Sequence, residues 1–137
     1  MTPFRVHIDR NGGLLASRVR TASSLWARFR GLMGRAALEP GEGLWFPGDT
    51  SIHMLFMRFP IDAVFLAPEQ RAAPASARQP SADHWRVVAI RADLRPWTGV
   101  VWYVRGARGC LELESGAAAA AGLQVGDQVV FRTPTAG

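Results

Sequence analysis

At 137 residues the chain has the length of one domain, enough to bury a core without disulfide or metal staples. Hydrophobic residues make up 48% and charged residues 20%, a balance that excludes a disordered chain. The formal charge of +5 rests on 16 arginines and no lysine, scattered from Arg5 to Arg132 without a run of three. Such a bias, beside abundant Ala, Gly and Pro, is what a GC-rich genome produces. Phosphate binding needs cations converging on one surface, so composition disfavours a nucleic-acid partner; the densest cluster, Arg18, Arg20, Arg28, Arg30 and Arg35, would be its patch. The single cysteine, Cys110, excludes an intramolecular disulfide and a C-x-x-C zinc site. The opening "MTPFRVHIDRNGG" has no apolar leader and no later run approaches a membrane span, so the reading is a soluble, cytoplasmic protein without a membrane association.

In chain order, Phe4, Val6 and Ile8 alternate with polar neighbours, and "NGG" supplies a tight turn into a second strand around Leu14 to Arg20. Leu25, Phe29 and Leu32 then fall at helical spacing, with Ser23 or Ser24 as N-cap and Gly34 as stop. "LWF" is a short strand. Residues 52 to 57 and 61 to 66 read as two strands meeting at "RFP", where Pro60 interrupts the ladder. Residues 68 to 83, rich in Ala, Pro, Ser and Arg, read as a flexible surface loop that divides the core into about 4–67 and 84–132. Strands follow at Trp85 to Ala92 and Val100 to Val104. In "CLELE" the alternation places Leu111 and Leu113 inward and Glu112 and Glu114 on the wet side. Ser115 and Gly122 bracket a short Ala-rich helix, and a turn at Gly126-Asp127 leads to the last strand. Many short strands, two short helices and no βαβ alternation predict a single α+β, mainly β domain over 1–137: a strongly curved antiparallel-rich sheet or partly closed barrel.

The chemistry-bearing candidates are few. A nucleophile elbow is missing, and a lone Cys110 at the head of an apolar strand is ordinarily an inert core thiol. His53, Met54 and Met57 have soft-metal ligand types, but residues 53 and 57 share a strand face that 54 does not, so the sequence supports no metal and no cofactor. What stands out is His53, Arg58 and Asp62 within the apolar run "IHMLFMRFPIDAVFL", near Trp97 in "RPW" and the segment "WYVRG". One reading has Asp62 accepting backbone N–H groups while Arg58 neutralises it, which locks the hairpin. The other places the same residues in a ligand pocket.

"RGLMGR", "GEGLWF", "IHMLFMRFPIDAVFL", "LRPW", "GARGCLELESG" and "GLQVGDQV" come in an order that resembles the domain-of-unknown-function-192 family, over roughly residues 14 to 131. The resemblance implies a compact β-rich domain without an established biochemical role. It carries over the motif positions Arg30, Gly31, Leu32, Met33, Gly34, Met57, Pro60, Asp62, Gly126 and Asp127, none with a catalytic assignment. The functional expectation is a non-enzymatic binding module with a pocket at His53, Arg58, Asp62 and Trp97 for a small anionic or sugar-like ligand or a partner's protein segment. Two alternatives are a hydrolase-like enzyme using His53 as base with Asp62, and an arginine-patch nucleic-acid binder.

Overall fold

The computed structural model describes residues 3–22, 38–53, 59–69 and 82–133. Strands β1 (Phe4–Ile8) and β2 (Leu14–Thr21) form the opening hairpin. Its turn is closed by Ile8 N–H to Gly13 O at 2.8 Å and by the Asn11 side chain accepting from Gly13 N–H, with Gly12 at φ +68°. Then come β3 (Glu42–Pro47), β4 (Ile52–His53), β5 (Ile61–Pro68), β6 (Ala82–Leu94), β7 (Val100–Val101), β8 (Gly109–Glu114), helix α1 (Ala117–Ala120) and β9 (Gln128–Arg132). Seven strands close a barrel in the order β1-β2-β3-β8-β5-β6-β9, with β9 pairing back onto β1. Every pairing is antiparallel except β2 with β3, and β4 with β7 forms a separate two-stranded ribbon. The predicted mainly β, curved architecture holds, and the barrel is fully closed. The predicted helix from Ser23 or Ser24 to Gly34 lies outside the described residues.

Two apolar layers share the arc β3-β8-β5-β6. Inside the barrel, Val6, Ile8, Val19, Val64, Leu66, Val87, Leu111, Leu113 and Val129 pack around Trp45, whose ring meets Trp85 and Phe131 edge-on at centroid distances of 4.9 and 5.1 Å. On the outside of the same arc, Phe46, Ile61, Ala63, Phe65, Ala89 and Cys110 are covered by Phe59, Val101, Val104 and Ala107. An arc buried on both faces explains why "IDAVFLA" reads as an unbroken apolar run.

The double burial also corrects the reading of "CLELE". Glu112 is 0% exposed, as are Leu111 and Leu113. It stands in the cross-strand row Leu44–Glu112–Ala63, on the outer face that the second layer covers. Period-2 alternation locates a strand's two faces, but only the covering layer decides which of them is wet. The expected loop 68–83 is also shorter at both ends, since Pro68 belongs to β5 and residues 82 and 83 to β6. Its middle, residues 70 to 81, lies outside the described residues.

Candidate functional site

Asp62 points to the inner end of the barrel and is fully buried. Its Oδ1 accepts the N–H of Asp93 at 2.9 Å, and its Oδ2 accepts those of Gly116 and Ala118, both at 3.1 Å. One carboxylate therefore ties three places together: β5, the end of β6 and the start of α1. Ser115 was the expected N-cap, but the N-cap is Gly116 at φ +92°, with no capping side chain of its own. The first-turn N–H groups that a helix leaves unpaired are met by Asp62 from a distant strand, while the Ser115 hydroxyl donates to Asp93 at 2.8 Å. Asp93 sits at φ +52°, a conformation unusual for a residue with a Cβ, and its N–H bond to Asp62 helps hold it there.

The second family carboxylate has the same character. Asp127 follows Gly126, whose φ of +95° makes the turn before β9. The Arg10 guanidinium, from the β1–β2 turn, grips it with two bonds, Nε to Oδ1 at 2.9 Å and Nη2 to Oδ2 at 3.0 Å. Gln124 N–H adds a third at 2.9 Å, and Arg10 Nη2 also reaches Gly122 O. The Arg10 bonds above all hold the Asp127 carboxyl below its ordinary pKa of 3.8, against the opposing effect of burial. A carboxyl depressed in the folded state contributes its full stabilisation above the unfolded-state pKa and loses it as pH falls through the folded value. Acid titration of the melting temperature should therefore fall more steeply below about pH 4 in the wild type than in Asp127→Asn. At neutral pH that variant should lose about 1 kcal/mol, a modest figure because Arg10 is half-exposed and its charge is screened.

Among the described residues, none of the other predicted positions shares a hydrogen bond with Asp62. His53 lies on β4 opposite Val100 of β7. Arg58, Met57 and the helix motif Arg30, Gly31, Met33 and Gly34 lie outside the described residues, and Pro60 is half-buried just before β5. Trp97 stands at the surface, 51% exposed at φ +68°, in a turn closed by Gly99 N–H to Arg95 O at 2.9 Å. Beyond it the sequence reading placed a strand as far as Val104, but β7 ends at Val101. Trp102 is consequently 85% exposed and Tyr103 67%. Their exposure was missed because "VVWYV" has the composition of a strand. The signal available was a Trp-Tyr pair hemmed between Gly99 and Gly106, too short a span to bury both rings.

The segment is nonetheless held firmly. Val104 N–H donates to Thr50 O at 2.8 Å and Val104 itself is buried, so the two rings project from an anchored backbone. Arg95 and Arg105 flank them at the surface. Among the described residues, no three His, Cys, Asp or Glu side chains converge to hold a metal ion, and no helix is long and apolar enough to cross a membrane.

These features define a small mainly β barrel domain with an aromatic surface segment. The chain belongs to the DUF192 family (uncharacterized ACR, COG1430), which it matches over residues 6–131. Among solved structures it is similar to a candidate transcription regulator from Sinorhizobium meliloti 1021, with a TM-score of 0.69, 22% identity, 93% of this chain and 91% of that one covered. It is also similar to a protein of unknown function from Novosphingobium aromaticivorans DSM 12444, with a TM-score of 0.65, 23% identity, 93% of this chain and 82% of that one covered. At those identities the likeness is one of fold. A search of curated proteins finds no match.

Proposed function

We propose that the protein is a non-enzymatic binding module that docks an acidic segment of a partner protein on Trp97, Trp102 and Tyr103, beside the β4–β7 ribbon. The observation that carries this reading is the exposure of three large aromatic rings within seven residues on an anchored backbone. Trp, Tyr and Arg dominate the energetic centres of protein interfaces, because they bury much area for little lost freedom. A monomeric surface rarely leaves such rings bare without a use for them. Arg95 and Arg105 beside the rings, and the net charge of +5, favour an acidic occupant. Asp62 takes no part in this surface, since both its oxygens are engaged by backbone N–H groups. The same engagement argues against a His53-Asp62 acid-base pair.

The test is a displayed library of linear peptides selected against the wild-type protein and counter-selected against the double variant Trp102→Ala, Tyr103→Ala. Acidic peptides that bind the first and lose at least tenfold on the second are expected. Each single alanine change should alter unfolding free energy by no more than about 0.5 kcal/mol, as for exposed residues in general. Enrichment of peptides that bind both proteins equally would overturn the reading. So would sedimentation as a dimer that the double variant abolishes, because the occupant would then be a second copy.

A further inference from the structure

A different part of the surface carries a cleft lined by two arginines. The ends of β3, β5 and β6 and the turn before β8 enclose a cleft of about 700 Å³, lined by Arg86, Arg108, Glu69, Ala67, Gly48 and Gly106. Its wall is continuous hydrogen-bonded backbone: Gly48 N–H donates to Arg108 O and Arg108 N–H to Leu66 O, both at 2.8 Å. The ladder then continues from Ala67 to Arg86. Ala67 of β5 pairs with Arg86 on one side, and on the other Arg108 N–H donates to its neighbour Leu66, so the two arginines reach the cleft from either side of β5. Two strand spacings amount to about 10 Å between backbones, a span that two arginine side chains can close.

Both arginines are exposed, and neither guanidinium has a hydrogen bond or ion pair among the described residues, although Glu69 lines the same cleft. Two cations against one carboxylate leave the lining net positive. Gly48 and Gly106 sit at φ +86° and +85°, and a Cβ built on either would meet no atom within 4 Å. The lining at these two points is bare backbone facing open space.

We infer that this cleft binds a small phosphorylated molecule, with one phosphate group bridging the guanidinium forks of Arg86 and Arg108. Arginine's planar fork matches a phosphate's oxygens two at a time. Two forks that line one cleft from either side of β5 can each take a pair of oxygens of one phosphate. The volume leaves room for an organic moiety beyond the phosphate, within the range of ordinary ligand pockets. Glu69 would accept hydroxyl donors of that moiety. This site shares no residue with the aromatic docking surface, so either can fail without the other.

The experiment is a thermal-shift and calorimetric titration with inorganic phosphate, glucose 6-phosphate and AMP, against sodium chloride at matched ionic strength. Phosphate is expected to raise the melting temperature above the chloride control. Arg86→Ala and Arg108→Ala should each weaken binding at least tenfold, while Arg132→Ala, also exposed but outside the cleft, should leave it unchanged. The two organic phosphates should bind at least as tightly as inorganic phosphate; weaker binding of both would overturn the assignment to a small phosphorylated molecule. A shift matched by chloride, or retained by the Arg86→Ala, Arg108→Ala double variant, would overturn the site itself. Urea midpoints of the variants, expected to equal the wild type's, verify that the losses are local.

Discussion

Asp62→Ala should lower the unfolding free energy by about 3–5 kcal/mol, the largest effect expected of any single charged-residue change in the protein. The loss has a defined origin. Removing the carboxylate leaves the N–H groups of Asp93, Gly116 and Ala118 without their acceptor; the Ala118 bond is fully buried, and the other two are partly so. Each such orphan costs more than the net worth of the bond it made, because desolvation is no longer offset. Asp62→Asn should recover only part of this, since one carboxylate oxygen becomes an NH₂ that must face a donor. The two variants are ranked by urea denaturation, with wild type above Asn and Asn above Ala. Hydrogen exchange at the Gly116 and Ala118 amides gives the local readout, and protection there that survives Asp62→Ala would show that the clasp does not hold α1.

Gly109→Ala should cost about 2–4 kcal/mol despite adding one methyl group. A Cβ at this position would lie 2.6 Å from Cζ2 and 2.8 Å from Cζ3 of Trp45, and closer still to Cη2. Trp45 cannot retreat easily, because Trp85 and Phe131 already meet its ring edge-on. Small-to-large changes in packed cores force off-rotamer side chains and backbone shifts. Near-ultraviolet circular dichroism should report the disturbed tryptophan, and denaturant melts the energy. Compensation by Trp45→Phe, which trims the ring, is the expected second-site rescue; its failure would place the strain in the β8 backbone instead.

What could be read from the chain alone follows the reach of the interactions concerned. The β1–β2 hairpin was legible because alternation and the Asn-Gly-Gly turn are both local. So was the Gly126-Asp127 turn, whose φ of +95° needs the glycine. The partners of the two carboxylates were not legible: Asp62 meets residues 31, 54 and 56 positions away, and Arg10 meets Asp127 across 117. A local pairing with Arg58 was the nearest explanation available to a reader without the topology. Glu112 fails for a related reason, since alternation cannot reveal that loops and a ribbon cover the outside of the arc. The meeting of Arg86 and Arg108 at one cleft depends on segments that are neighbours in space and distant in sequence, and no periodicity within one strand announces it.

The pairing of β9 with β1 has a bearing on how the molecule comes into being. Residues 128–132 lie between strands 4–8 and 82–94 and complete both ladders at once. On the ribosome, β1 must therefore wait with an open edge until β9, the last described strand, has emerged. A nascent chain in that interval exposes Val6, Ile8 and Phe4 along a strand with one edge open, the surface that chaperones recognise and that mispairs between neighbouring chains. Closure between segments so far apart in sequence also places the barrel among slowly folding topologies. For this chain the vulnerable moment is thus synthesis rather than the finished fold, and production yield should respond to translation speed and chaperone supply more than to the stability of the native barrel.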